Sequence, residues 1–476
     1  SIDVYRSWIA GEEDRVAVKA AQFDEAWDDG AAGLSVLPPT AETLLRLKER
    51  SPGKRPVPAP APDEAEKPAE APDPRWRHQE EAIAAFMADP AGILEMATGT
   101  GKTRTAIRIL TQLVAEKKIE TAVITMDGTD LLDQWADELS AWNTAGGPGW
   151  LIYRHYERFH EISDYALDTR GSLILISRGQ LPKLLKRLSP GVKSKALIVH
   201  DEVHGLGTPG SVANLAGQHQ AFGFRLGLSA TPERAYDDAG NAFVAAELGP
   251  VLFRFPLEAA ISRGVLSEFD YLPLPYELTD DDRERLKAVY ARQAARARTA
   301  KPMSKEEVWT ELSKVYKTAE MKPAVFEELL AKDASLLKRC IIFVETKEYG
   351  ERILELVHRH THLYRTYYAE DDRAHLVDFA NGEIDCLITC HRISQGIDIR
   401  SLSTVVLFAS ARAQLETIQR IGRCLRFDPD RPDKRALVVD FVRPANPDDT
   451  HENADQQRFV WLSALSTVRK GDSHGS

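Results

Sequence analysis

From about residue 90 onward the chain alternates short, mostly apolar runs with amphipathic stretches. The apolar runs are GILEMA (92–97), TAVITM (121–126), SLILIS (172–177), ALIVHDE (196–202) and FRLGLSA (224–230). Runs of this length with little alternation fit strands buried on both faces. The segments between them, such as 103–116 and 129–142, carry apolar residues at helical spacing. The pattern predicts a parallel sheet covered by helices. It restarts at CIIFVE (340–345) and continues through 366–368, CLITC (386–390), TVVLFA (404–409) and ALVVDF (436–441), which predicts a second α/β domain.

Between the two, residues 279–338 lose the β-rich runs and become helical and charged, with Arg283, Arg285, Lys287, Arg292, Arg296, Arg298, Lys301 and Lys305 in succession. A solvated helical face and an insert that contacts nucleic acid both fit this charge pattern. Eight prolines lie between residues 51 and 74, interleaved with Lys, Glu, Asp and Ala, so this stretch reads as an extended linker. Ahead of it, residues 1–50 hold Tyr5, Trp8, Phe23, Trp27 and Leu34, enough for a short helical element but not for an independent core. The expected division is an N-terminal fragment (1–50), a linker (51–74), a first domain (75–275), a charged helical insert (276–336), a second domain (337–445) and a tail (446–476).

Composition narrows the class. Hydrophobic residues make up 43% of the 476 and charged residues 28%, so each domain can bury a core. The formal charge, 61 − 72 = −11, argues against a uniformly basic nucleic-acid coat and leaves room for local basic grooves. No apolar run approaches the roughly 18 residues of a membrane span, and residues 1–10 lack a basic start followed by an apolar stretch. The four cysteines, Cys340, Cys386, Cys390 and Cys424, are too few to staple such a chain. A cytoplasmic protein with no membrane partner is expected. Cys386, Cys390 and His391 lack a second pair of metal ligands, and CLITC reads better as a buried strand.

The strongest chemical signal is MATGTGKT, directly after a strand and opening a helix. Thr98, Gly99, Thr100 and Gly101 form a loop whose backbone N–H groups can turn toward phosphate oxygens. Lys102 supplies a point charge for the β- and γ-phosphates, and the Thr103 hydroxyl can hold Mg²⁺. The general pattern wants Gly where Met96 stands. ALIVHDEVH then places Asp201 and Glu202 at the carboxyl end of a buried strand, where doubly wound sheets bind ligands. Asp201 would hold Mg²⁺ and Glu202 would orient and deprotonate a water, which is hydrolysis rather than phosphoryl transfer to a second substrate. Trp135 reads as core rather than as a base-stacking platform.

GxGKT, then DEVH at 201–204, then Ser229-Ala230-Thr231 in GLSATPER, then QRIGRCLR at 419–426 resembles the helicases and translocases of superfamily 2 over residues 75–442. MATGTGKT, LGPVLFRFPLEAAISRGVLSEFDYLPL (248–274) and SQGIDIRSLSTVV (394–406) are similar to the group containing XPB, UvsW and the motors of type I and type III restriction enzymes. The resemblance implies roles. Gln79 would read the adenine edge, and Ser229, Thr231 and His204 would link hydrolysis to domain movement. Gly396 and Asp398 would touch nucleotide and nucleic-acid backbone, and Gln419, Arg423 and Arg426 would reach the nucleotide from the second domain, the two arginines at the γ-phosphate. Thr129, Gln134, Ser177, Arg296 and Arg298 are the candidate nucleic-acid contacts. The strand-contacting motif departs from the family as Met126-Asp127-Gly128-Thr129, and Gln395 stands where Glu is common. Residues 1–45 are similar to the segment joining a phospholipase-D-type nuclease to a helicase core in bacterial defence proteins, without that nuclease's His-x-Lys chemistry.

The expected architecture is therefore α/β, two tandem RecA-like parallel-sheet domains with an ATP site in the cleft, plus a helical insert and a small N-terminal helical element. The expected function is an ATPase that uses ATP and Mg²⁺ to translocate on or unwind DNA, the motor part of a bacterial defence, repair or restriction system, with a nuclease domain or subunit as partner. An RNA helicase and a nucleotide-gated DNA clamp are the alternatives, since the motifs contact sugar–phosphate and read no base.

Overall fold

The computed structural model describes residues 73–390 except 235, 236, 298, 300, 301, 369 and 373, then 401–409, 417, 420–422, 424–428, 431, 433–444 and 453–471, together with Val18. The expected N-terminal element and all but the last two residues of the expected linker lie outside these, Val18 apart.

Two sheets, each entirely parallel, organise the described chain. The first runs β3-β4-β2-β5-β6-β1-β7, with β1 Ala91–Met96, β2 Thr121–Met126, β3 Leu151–His155, β4 Ser172–Ser177, β5 Ala196–His200, β6 Phe224–Ser229 and β7 Val251–Phe255. Strands β2 and β5 are buried along their whole length, as their apolar runs require. The edge strands β3 and β7 are half exposed, which is why neither carries a continuous apolar run.

The second sheet runs β10-β11-β9-β12-β13-β8, with β8 Phe269–Pro275, β9 Cys340–Phe343, β10 Tyr364–Tyr367, β11 Cys386–Thr389, β12 Thr404–Leu407 and β13 Ala436–Val442. Here the sequence-based division needs correcting. Strand β8 falls inside the expected first domain, yet it pairs along β13 from Phe269 opposite Ala436 to Pro275 opposite Val442. It is the edge of the second sheet, mostly half exposed, and so shows no buried-strand signature.

The expected insert also divides. Helices Asp280–Arg296 and Lys305–Lys317 form a hairpin around Val289, Val308 and Leu312. Helix Lys322–Lys332 instead buries Phe326 and Leu330 in the core of the second sheet. Within the hairpin the basic residues face acids: Arg292 pairs with Glu311 at 3.0 Å and Arg296 with Glu307 at 2.5 Å. The expected tail likewise contains a helix, Ala454–Ser466, that packs on β8 and β13 with Leu462 and Leu465 buried.

A buried polar network fastens these outer helices to the second sheet. Arg458 donates to Asp440 Oδ2 at 2.8 Å and to Asp455 Oδ1 at 3.1 Å. Lys322 is buried, donates to the carbonyl of Phe408 at 3.0 Å and lies 4.7 Å over the Tyr276 ring. Burial pulls the Lys322 ammonium down to about 8, and the Asp455 and Asp440 carboxylates oppose that shift. In the unfolded chain a lysine keeps its proton to about 10.4. Between those two values the unfolded state binds more protons than the folded one, so the stability tied to this group rises with pH. Relative to Lys322→Met, the wild type should gain about 1–2 kcal/mol of unfolding free energy from about pH 7.5 to about pH 9.5, read from urea titrations of both proteins. The same pH dependence in both proteins would mean that Lys322 does not titrate in this range.

Candidate nucleotide site

Because every strand of the first sheet points the same way, the loops leaving their carboxyl ends share one edge. Along that edge the strand order sets the chemistry: the turns after β4 and β2, then Asp201 and Glu202 after β5, then Ser229 to Thr231 after β6, then the glycine-rich loop after β1. Ligands bind at such edges because the outgoing loops and helix N-termini converge there.

The loop after β1 is shaped by its glycines. Gly99 and Gly101 have φ of 88° and 89°, and Gly101 caps helix Lys102–Ala115 in the left-handed region. There the loop leaves no room: a Cβ on Gly101 would lie 2.3 Å from Gln79 Nε2. The loop is tied internally by Thr100 Oγ1 donating to Ala97 O at 2.7 Å, and Lys102 Nζ folds back to Met96 O at 3.2 Å. Gln79 is buried and donates to Thr100 O at 3.2 Å, so this side chain braces the loop. His78, stacked on Phe255 with ring centroids 4.1 Å apart, is within 2.9 Å of the same carbonyl, and burial lowers its pKa.

The acidic pair sits across β6 from this loop. Asp201 is buried; its Oδ2 accepts from the Trp135 indole N–H at 2.9 Å and its Oδ1 from the Glu202 N–H at 2.8 Å. Burial pushes the Asp201 carboxyl up and the Glu202 charge adds to that, while Lys102, Trp135 and the Glu202 N–H oppose it. Glu202 has φ 46°, uncommon for a residue with a side chain, and its Oε2 lies 3.4 Å from His204 Nδ1. At the end of β6, Ser229 is buried and accepts from the Thr231 N–H at 3.1 Å. Among the described residues, Thr98 Oγ1 and Thr231 Oγ1 are buried with no hydrogen-bond partner, one in the glycine-rich loop and one after β6. Unsatisfied hydroxyls at such positions fit a phosphate-bearing ligand.

The second domain closes on the loop. A Cβ on Gly422 would lie 3.0 Å from Thr98 Cβ, and one on Gly99 would lie 3.5 Å from Arg426 Cγ. Leu266 and Arg426 form an antiparallel bridge that holds this approach. Arg426 is thus beside the loop, whereas Arg423, Gln419, Gly396, Asp398 and Arg298 lie outside the described residues. Thr103 is half-buried in the first turn of its helix. Thr129, Gln134 and Ser177 are half-buried and lie at or beyond the ends of β2 and β4, toward the far side of the edge from the loop. Arg296 belongs to the helical hairpin and is paired there, apart from this group.

Two residues of the site were not legible in the sequence as such. Trp135 is core, as its apolar helix position implies, but its N–H also fixes the acidic pair. Arg178, immediately after the apolar run SLILIS, is buried beyond the end of β4; a cation directly following an almost wholly buried strand is the signal that could have marked it.

Residues 75–234 match the family model described as type III restriction enzyme, res subunit, and residues 321–428 match the helicase conserved C-terminal domain. The chain is 23% identical over 393 residues to a protein of Sulfurisphaera tokodaii described as DNA 3'-5' translocase XPB2, covering 78% of this chain and 82% of that one. It is 24% identical over 373 residues to an uncharacterized protein of Mycobacterium tuberculosis, covering 73% of this chain and 58% of that one. Among solved structures it shares the fold of the ATP-dependent Type ISP restriction-modification enzyme LlaBIII bound to DNA, with a TM-score of 0.53 and 17% identity over 84% of this chain and 30% of that one.

Gly101 offers a direct check of the loop. Gly101→Ala combines a left-handed backbone with a clash against Gln79. It should weaken binding of a fluorescent ATP analogue by at least about ten-fold, since a distortion of about 1.4 kcal/mol suffices for that. Unchanged affinity by titration would show that the loop does not hold phosphate in this conformation.

Proposed function

We propose that this chain, a helicase/translocase of superfamily 2 by its matches over residues 75–234 and 321–428 and similar to restriction-enzyme motors, hydrolyses ATP and couples that hydrolysis to movement along DNA. The observation that carries this reading is the packing of Gly422 and Arg426 from the second domain against the glycine-rich loop of the first. A site completed by two domains makes turnover depend on their closure, and closure can move a bound strand.

In this reading the backbone N–H groups of residues 98–103 and the Lys102 ammonium bind the phosphates of ATP. Thr103 and Asp201 would hold Mg²⁺, which when bound neutralises phosphate charge. The Trp135 N–H keeps one Asp201 oxygen oriented, and the other, which accepts from the Glu202 N–H, keeps a further lone pair for the metal. Glu202 orients the attacking water and takes its proton at the carboxylate. Arg426, with Arg423, brings positive charge to the γ-phosphate side when the cleft is shut, where an arginine stabilises developing charge most. Ser229 and Thr231 lie between the acidic pair and the loop, a position suited to passing movement between them. Thr129, Gln134 and Ser177 would meet the nucleic-acid backbone at the other end of the edge. DNA as the track is supported by the relative described as a DNA translocase and by the DNA-bound enzyme of like fold. The likeness to restriction enzymes supports a nuclease domain or subunit as partner.

Two variants separate the steps. Lys102→Ala should weaken ATP binding and turnover together. Glu202→Gln should retain binding and lose turnover by about 10²-fold or more, since an amide cannot accept the proton. Normal turnover in Glu202→Gln would remove it from the catalytic role. The motor reading itself is tested by ATPase rates with single-stranded DNA, duplex, forked DNA and RNA, together with displacement of a labelled strand. DNA-stimulated turnover with directional displacement is expected; stimulation without displacement would identify a clamp, and stimulation by RNA alone would overturn the choice of DNA.

A further inference from the structure

Arg178 is an arginine with almost no contact with water: its side chain is 2% exposed. It leaves the end of β4 and crosses beneath the end of β2 to reach the end of β5. Its Nη1 donates to Asp127 Oδ2 at 2.7 Å, and its Nη2 donates to the main-chain carbonyls of Asp201 at 2.8 Å and Glu202 at 3.2 Å. Its own N–H donates to Met126 O at 3.0 Å, so the side chain and the backbone of one residue tie three adjacent strand ends together.

The surroundings are arranged around this guanidinium. Burying a cation is costly unless it is paired and hydrogen-bonded, and here one carboxylate and two carbonyls provide the compensation. Burial lowers the Arg178 pKa and the Asp127, Asp201 and Glu202 charges oppose that shift. The space exists only because residue 205 has no side chain: a Cβ there would lie 1.9 Å from Nη1 and 2.8 Å from Asp127 Oδ2. The two carbonyls held by Nη2 flank the positive-φ backbone of Glu202, a conformation that costs about 1 kcal/mol and persists when its neighbours over-determine it.

What makes this more than a core contact is where the far end lies. Asp127 is 66% exposed and precedes Gly128 and Thr129, the start of helix Thr129–Thr144. Ser177, the residue before Arg178, is half-buried at the end of β4. The guanidinium therefore runs from the solvent-facing turns at one end of the sheet edge to the backbone that aims the proposed water-activating carboxylate. Trp135, from the helix that Asp127 introduces, makes a second contact to the same acidic pair.

We infer that Arg178 is a positioning residue that carries the state of the nucleic-acid-side turns after β2 and β4 to the backbone of Asp201 and Glu202, so that strand binding sets the hydrolytic geometry. This rests on the motor reading above. It assigns Arg178 no contact with ATP or nucleic acid; it acts through the carbonyls it holds.

The test uses Arg178→Lys, Arg178→Ala, Asp127→Asn and Gly205→Ala in the full chain, measuring ATP turnover with and without DNA at saturating and limiting ATP. The ratio of DNA-stimulated to unstimulated kcat should fall by at least about ten-fold in Arg178→Ala, with KM for ATP within about two-fold of wild type. Arg178→Lys should recover part of the ratio, because an ammonium keeps the charge but cannot reach three acceptors in one plane. Asp127→Asn, at an exposed position, and Gly205→Ala, which displaces the guanidinium, should lower the ratio in the same direction. They decide the matter if the Arg178 variants fail to fold. Stimulated and unstimulated rates that fall by one common factor, or a ratio kept in Asp127→Asn and Gly205→Ala, would reduce Arg178 to a structural tie and overturn the inference alone. Wild-type turnover indifferent to any nucleic acid would overturn the motor reading and the inference with it.

Discussion

The constraint on which the site depends is the parallel course of the strands. A strand that runs parallel to its neighbour must return through a crossover, usually a helix, so every outgoing loop of the first sheet emerges at the same edge. Hydrogen-bonding order then decides which loops are neighbours. Because β6 lies between β5 and β1, Ser229 and Thr231 fall between Asp201 and the glycine-rich loop; because β2 lies between β4 and β5, Asp127 falls between Arg178 and the acidic pair. No local interaction sets these adjacencies. They follow from the ladder as a whole, buried in a core of Ile, Leu and Val side chains on both faces.

On that edge, polar groups are held where apolar packing alone would leave them loose. The Trp135 N–H, the Glu202 N–H and Lys102 oppose the cost of burying the Asp201 carboxyl. A similar economy appears behind β5, where Glu247 Oε2 lies 2.7 Å from His219 Nδ1 and His219 Nε2 lies 3.0 Å from His200 Nε2. Burial and the neighbouring His219 drive the His200 pKa well down, at the residue that precedes Asp201. Networks of this kind specify one geometry, because any rearrangement would strand a buried polar atom.

The second domain meets the first through small residues. Gly99 and Gly422 bring the loop and the second domain within van der Waals range: Gly99 needs its left-handed backbone, and a Cβ on Gly422 would crowd Thr98. Lys322 and Arg420, both buried, hold the consecutive carbonyls of Phe408 and Ala409, the point where β12 hands over to the segment that leads to Gly422. The helix carrying Lys322 is thereby part of how the second domain presents that segment, rather than a separate appendage.

The sequence by itself determined the elements that depend on local pattern. Buried strands such as β2, β4 and β5 announce themselves as apolar runs, and the glycine-rich loop, the acidic pair and Ser229-Ala230-Thr231 are contiguous motifs whose chemistry is written in residue type. The two-domain α/β architecture was legible for the same reason. Edge strands β3, β7 and β8 were not, since a strand half open to water loses the apolar signature, and β8 was consequently assigned to the wrong side of the domain boundary. Only the tertiary structure decided that Trp135 is both core and donor, that the hairpin arginines face Glu307 and Glu311, and that Arg178 reaches Asp127, Asp201 and Glu202. Those facts join residues distant in the chain, and a hydrogen bond between them depends on the strand order and the turn geometry, which no short stretch of sequence contains; Gly205 is written in the sequence, but that its bare Cα makes room for Arg178 is not.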